Sequence, residues 1–210
     1  MAAEYTARLR PDTITFFAPA MLALLIQHTA VSLGALALVS ERLAQTFELY
    51  IVAPVSNLQL LLGKYLAYVL FTLSITAVLV GMLLGPFGVP VFGSPWRMVL
   101  TLLLLALTSV GLGFALSLVA TSERQAVQFA MLSLLAIVFF SGIALPLDSL
   151  RIPALLFSYV LPATYGADVL QDVMLRGLPS SNLFLLILGA LAASLFLACL
   201  WLLRWRTRAV

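Results

Sequence analysis

The chain has 210 residues, 63% hydrophobic and only 9% charged, with a mean hydropathy of +1.15. Soluble domains carry roughly a quarter charged residues and disordered chains are poor in apolar ones, so this composition excludes both and places the chain in a bilayer. The net charge of +3, from 11 basic and 8 acidic residues, shows no basic cluster outside the C-terminus, so membrane lipid rather than nucleic acid is the expected surroundings. The lone Cys199 leaves no intrachain disulfide and no cysteine-based metal site.

In chain order, Met1 to Thr13 carry Glu4, Arg8, Arg10, Pro11 and Asp12 ahead of an apolar run too long for a signal-peptide core. This segment reads as an extracytoplasmic tail of the mature protein. A membrane-spanning helix needs about 20 mostly apolar residues. Five stretches qualify: Ile14 to Val39, Tyr65 to Leu84, Met98 to Ala120, Ala126 to Leu145 and Leu183 to Leu203. The expected fold is therefore an all-α integral membrane protein, a single transmembrane domain over residues 1–210. Gly85, Pro86, Gly88, Pro90, Gly93 and Pro95 mark a turn outside the hydrocarbon. Five spans put the termini on opposite sides. Trp201 and Trp205 followed by Arg204, Arg206 and Arg208 read as a cytoplasmic anchor with an interfacial aromatic pair. On that orientation Arg42, Lys64, Arg124 and the three terminal arginines lie inside, against Arg8, Arg10, Arg97, Arg151 and Arg176 outside. The N-terminus is then extracytoplasmic.

The acids carry the first functional information. Glu4, Asp12, Glu41, Glu48, Glu123, Asp148, Asp168 and Asp172 all fall in termini, loops or span edges. A gradient-driven transporter or pump normally holds a carboxylate inside the membrane. Its absence counts against that class, although sodium sites built from carbonyls stay open. No nucleotide site is present either: Gly63-Lys64 is followed by Tyr65, and the upstream glycine of a phosphate-cradling loop is missing. Any ATPase must be a separate polypeptide, and this chain needs no cofactor or metal of its own.

Between the first two spans, Ser40 to Pro54 places Glu41, Gln45 and Glu48 on one helical face and Leu43, Phe47, Tyr50 and Ile51 on another. Such a helix lies along a membrane surface with its acidic side in water, either as a solvated connector or as a docking element for a soluble partner. Pro54 ends it, and Ser56 with Gln59 forms a capping box for the next helix. The coupling segment is thus expected over residues 40–56. A second irregular segment, residues 146–178, holds two short helical patterns, Pro153 to Leu161 and Thr164 to Arg176, neither long enough to span. Gly177 suits the C-cap, and Asp172 stands four residues from Arg176 at pairing distance. Within the first span Gln27 and His28 are the polar candidates for a substrate path, against the commoner role of bonding a neighbouring helix. Gly81 with Gly85, Gly189 with Ala193 and Ala190 with Ser194 have small-residue spacing that fits a dimer seam.

Several of these residues form a pattern. Glu41-Arg42, Thr46, Glu48, Pro54, Val55, Ser56 and Leu60 to Lys64 resemble the E-R-x-x-G-T-x-E-x-L-x-x-x-P-V-S-x-x-x-L-x-x-G-K motif of type-2 ABC transporter permeases. Leu161 to Tyr165, with Arg176-Gly177, resemble the family's L-P-x-T-Y and L-R-G, and Thr121 to Gln125 resemble its S-x-x-Q-A turn. The resemblance runs from about Ile14 onward. It implies a membrane subunit that dimerises, as a homo- or heterodimer, in a bacterial inner membrane. A separate ABC ATPase subunit carrying ATP and Mg would drive export. Glu41, Arg42, Thr46 and Glu48 would be its coupling contacts, Pro162 and Tyr165 the shapers of an outer gate formed by a re-entrant hairpin. Leu43-Ala44-Gln45 departs from the usual Gly before the Thr, which bears on the ATPase interface. The usual first span and extracytoplasmic domain have no counterpart before Met1, so that span is expected on another polypeptide or lost by a shortened reading frame. Two further functions compete: a passive channel or accessory half of a split transporter, and an intramembrane serine protease pairing His28 with Ser141.

Overall fold

In hydrocarbon every backbone N–H and C=O must be paired within its own segment, so long apolar runs fold as helices. The computed structural model describes residues 13–44, 56–141, 158–177 and 182–208, and among these no strand occurs. The helices are α1 (Thr13–Leu43), α2 (Asn57–Leu84), α3 (Pro95–Val119), α4 (Glu123–Phe140), α5 (Pro162–Gln171) and α6 (Asn182–Arg208), with a π-helical turn, Asp172–Arg176, after α5. α1 to α4 and α6 are long and apolar enough to cross a membrane. Their outward faces carry exposed Leu66, Phe71, Val78, Leu132, Leu186 and Leu197, as lipid-facing surfaces do.

The ends of the first two spans have local causes. α2 begins at Asn57, where the expected capping box starts it: the Ser56 hydroxyl accepts from the Gln59 N–H at 3.3 Å and the Ser56 N–H donates to Gln59 Oε1 at 3.0 Å. α1 continues through Ser40 to Leu43 instead of ending at Val39, so a separate surface helix does not start at Ser40. Nothing there interrupts the helix, and the Ser40 hydroxyl bonds back to the Leu36 carbonyl. The remainder of the expected coupling helix, 45–55, lies outside the described residues, as do 1–12 and the 142–157 half of the hairpin.

α1 and α3 form the buried centre, with α2, α4 and α6 around them. The two central helices run parallel and cross at Gly34 and Gly113. A Cβ on Gly113 would stand 2.8 Å from Gly34 Cα and 2.8 Å from the Val31 carbonyl oxygen. One turn further, the Ser117 hydroxyl accepts from the Leu38 N–H at 3.0 Å and the Val39 N–H at 2.8 Å, a side chain bonding a neighbouring helix's backbone at its closest approach. Around this crossing α2 and α6 are tied on by Tyr65, whose ring meets Phe114 and Phe196 edge-on at 5.7 and 5.2 Å and whose hydroxyl donates to the Leu107 carbonyl. On α6, Cys199 donates to the Gly111 carbonyl at 3.5 Å, and Thr108 of α3 reaches the Leu188 carbonyl at 3.2 Å.

The glycines singled out by spacing are elsewhere: Cβ atoms at Gly81 and Gly189 would meet nothing within 4 Å, so these glycines make no close crossing inside the chain. Gly113→Ala should therefore lower the unfolding temperature of the detergent-purified protein, with a loss of about 1–3 kcal/mol from forced backbone separation. Gly189→Ala should leave it unchanged or raise it.

Candidate functional site

Three polar groupings interrupt the apolar bundle. The first lies where α1 ends, at the connector end of the bundle. Glu41 Oε1 and Lys64 Nζ form an ion pair between α1 and α2, with side chains only 28% and 14% exposed. Arg42 donates from Nη2 to the carbonyl of Ala120, the C-cap of α3. A cation there satisfies one of the orphan acceptors at a helix C-terminus and complements its dipole. The following turn is closed by its own side chains: the Ser122 hydroxyl accepts from the Gln125 N–H at 3.2 Å, while Gln125 Oε1 accepts from the Thr121 N–H at 2.7 Å and its hydroxyl at 2.8 Å. The S-x-x-Q-A signature is thus an N-cap for α4. Of the residues expected to couple to a partner, Glu41 and Arg42 are turned toward the bundle, and Thr46 and Glu48 lie outside the described residues.

The second grouping is α5 with the turns on either side of it, at the opposite end and within the expected hairpin. Pro162 occupies the first helical turn of α5, where its missing N–H is harmless. Thr164 donates its hydroxyl to the Ser158 carbonyl at 2.8 Å, and Tyr165 donates to the Tyr159 carbonyl, also at 2.8 Å. The L-P-x-T-Y motif is therefore a lock: one residue starts the helix and two bond the turn before it. Tyr165 also packs edge-on against Phe184 of α6 at 5.7 Å. After α5 the backbone widens into the π-helical turn, and the Gly177 N–H closes it on the Asp172 carbonyl with φ of 61°. Phe92 and Gly93, from the loop between α2 and α3, donate to the Met174 and Val173 carbonyls at 3.3 and 2.7 Å. Gly93 is required there, since a Cβ would lie 2.7 Å from the Val173 oxygen. Asp172 and Arg176 pair at 2.7 Å.

The third grouping is in mid-span. Gln27 is fully buried, and neither its Nε2 nor its Oε1 has a hydrogen-bond partner. His28 Nδ1, Ser109 Oγ on α3 and Ser133 Oγ on α4 are likewise buried and unpartnered. Leaving such groups unpaired costs about 1–3 kcal/mol each, and hydrogen bonds among the described residues do not account for them. Ser141, the C-cap of α4, has a hydroxyl without a partner among the described residues, so it is not bonded to His28 Nδ1. Among the described residues no group of three or more His, Cys, Asp or Glu could hold a metal. Of this set Ser109 and Ser133 carried no sequence signal, because isolated serines in a span are common. Lys64 was visible as the last letter of the E-R…G-K pattern, but its partner was not.

The model of the ABC-2 family transporter protein matches residues 7–204. The chain belongs to this family. It is 28% identical over 165 residues to ABC transporter G family member 20 of Dictyostelium discoideum, covering 78% of this chain and 22% of that protein. It is 26% identical over 191 residues to the probable multidrug ABC transporter permease YbhS of Escherichia coli K12, covering 89% of this chain. The chain spans about half the length of the YbhS protein, 50%. Of the separated motifs, the E-R…G-K pattern ties α1 to α2 and α3, while S-x-x-Q-A and L-P-x-T-Y close the turns at the starts of α4 and α5.

The hairpin also has a pH signature. Burial, reinforced by Asp172 and partly offset by Arg176, pushes the Asp168 carboxyl up from 3.8 to about 6. A folded-state pKa above the unfolded one means that ionised Asp168 opposes folding of the hairpin at neutral pH, and the penalty fades as pH falls through 6 toward 3.8. Asp168→Asn should raise the unfolding temperature at pH 7.5, and the gain should shrink by pH 5.

Proposed function

We propose that this ABC-2 permease is the membrane subunit of an ATP-driven exporter, working with a separate ATPase chain that binds ATP and Mg and with a second permease copy. The connector end faces the cytoplasm, the hairpin end faces outward, and the assembly resides in a bacterial inner membrane. The observation that carries this reading is the mid-span polar set on α1, α3 and α4, unpaired and free of carboxylates. A path with hydrogen-bonding groups and no carboxylate has a place for cargo and lacks the buried acid on which gradient-driven carriers normally rely. Energy must then arrive at a helix end, and the motif-bearing connector is where a partner would deliver it. ATP-driven closure of the ATPases would move the connector, alter the crossing of α1 and α2 against the bundle, and open the path beneath the Pro162–Tyr165 lock.

The cargo suited to this path is amphipathic and uncharged. Gln27 offers an amide donor and acceptor, His28 a ring nitrogen, and Ser109 and Ser133 hydroxyls, all set in apolar surroundings. A groove of about 310 Å³ between the outer ends of α1 and α2, lined by Phe17, Met21, Leu25, Leu79, Met82 and Phe87, gives an apolar body somewhere to lie. The name of the Escherichia coli relative, a probable multidrug permease, is in keeping with such cargo.

Purification of the tagged chain from its native membrane should bring down an ABC ATPase subunit in stoichiometric amount; its absence sinks the exporter reading. In reconstituted vesicles Gln27→Leu should raise the unfolding temperature, by relieving about 1–3 kcal/mol of unpaired burial, while reducing export of an amphipathic amide dye several-fold. Equal or faster export would remove Gln27 from the path. Glu48→Lys should weaken retention of the ATPase, read in the same pull-down.

A further inference from the structure

We infer that Glu41, Lys64 and Arg42 form a clamp that carries motion from the connector into the membrane bundle, rather than a surface that contacts the ATPase. The inference rests on the ATP-driven reading above. The connector leaves α1 after Leu43 and rejoins the chain at Ser56, and Glu41 with Lys64 closes the base of this excursion by joining its two stems. Glu41 Oε1 is engaged with Lys64 across the α1–α2 gap and its side chain is only 28% exposed, so the carboxylate is turned mainly toward the bundle. Exposed ion pairs contribute little, and this one, with side chains 14% and 28% exposed, is part-buried and costs more to break by removing one member. The next residue extends the joint. Arg42 holds the Ala120 carbonyl at the end of α3, three residues beyond Ser117, which holds the α1 backbone at Leu38 and Val39. The Ser122 cap then passes the connection to α4. Displacing the connector thus displaces the ends of α1, α2 and α3 and the start of α4 as one body.

This arrangement separates two jobs within one motif. Glu41, Arg42 and Lys64 are positioning residues; contact with the ATPase falls to the residues between them, Thr46 and Glu48 included. It also explains why the pattern's first and last charged positions, Glu41 and Lys64, are opposite in sign and spaced for a return on adjacent helices.

The test uses the full chain with its ATPase in proteoliposomes, measuring ATPase retention, ATP hydrolysis and dye export for Glu41→Lys, Lys64→Glu and the double exchange. Each single exchange should keep the ATPase bound and hydrolysing within about twofold of wild type while exporting about tenfold fewer molecules per ATP. The double exchange should restore most of that ratio, a rescue that loss of stability alone would not produce. Should the single exchanges fail to insert, Glu41→Gln and Lys64→Gln give the same readout, with equal losses expected from each. Loss of the ATPase from the Glu41 variants but not from the Lys64 variants makes Glu41 a docking contact and overturns the clamp. So does unchanged export in all variants. A wild-type chain that retains no ATPase overturns the exporter reading itself, and the clamp with it.

Discussion

Gly34 and Gly113 bring α1 and α3 so close that a methyl group on either would meet the other's backbone, at 3.0 Å from Gly113 Cα in the first case and 2.8 Å from Gly34 Cα in the second. In lipid there is no hydrophobic gain from associating helices, so contact area and interhelical hydrogen bonds must supply the attraction. The crossing supplies both. Phe114 and Val110 are fully buried beside it, and Ser117 fastens the next turn. The parallel course of the two helices requires a chain segment to travel back between them, which is α2, and fixes which ends of α1 and α3 are neighbours. Arg42 can reach Ala120 only because the crossing has already aligned those two ends.

The apolar pattern made the five spans, their order and the two interrupted segments legible, because a bilayer imposes one length on all of them. It could not show which glycines matter. Gly81 and Gly85 have the spacing of a packing motif, and Gly81 stands in open space, while Gly34 and Gly113, in different spans, share no sequence spacing at all. The end of the first span was misjudged, because α1 runs past the apolar run to Leu43, while the Ser56–Gln59 box that starts α2 was legible. The Gln27 and His28 pair was visible as polar residues in an apolar run. That both Gln27 amide atoms and His28 Nδ1 lack partners depends on what α3 and α4 bring beside them, and this is a property of packing.

The motifs themselves were read by resemblance, and their geometry gives them a common physical role. Ser56 with Gln59, Ser122 with Gln125 and Thr121, and Thr164 and Tyr165 with the turn at 158–159 all spend side-chain hydrogen bonds on backbone groups at helix ends. Those are the four-per-terminus orphans that neither lipid nor the helix can satisfy. A permease must keep its helix ends defined while the helices tilt, and a cap made within a few residues of the end moves with it. Hence the bonds at the caps are local; far-reaching bonds at the loop-side ends of the bundle include Glu41 to Lys64, Arg42 to Ala120, and Phe92 and Gly93 to the π-helical turn.

Those long-range bonds sort by end. At the connector end they involve charged side chains and join α1 to α2 and α3; at the hairpin end they are backbone hydrogen bonds between a glycine-containing loop and the widened turn. The two kinds of bond respond differently to a shift of helices. A long Lys or Arg side chain can follow its partner through a change of a few ångströms, so a charged joint transmits movement without parting. Backbone bonds as short as the 2.7 Å between Gly93 and Val173 tolerate little displacement before they break. On the proposed ATP-driven reading, force entering at the connector is carried through the charged joints at one end of the bundle, and the bonds between the α2–α3 loop and the π-helical turn are the short, inflexible ones at the other end.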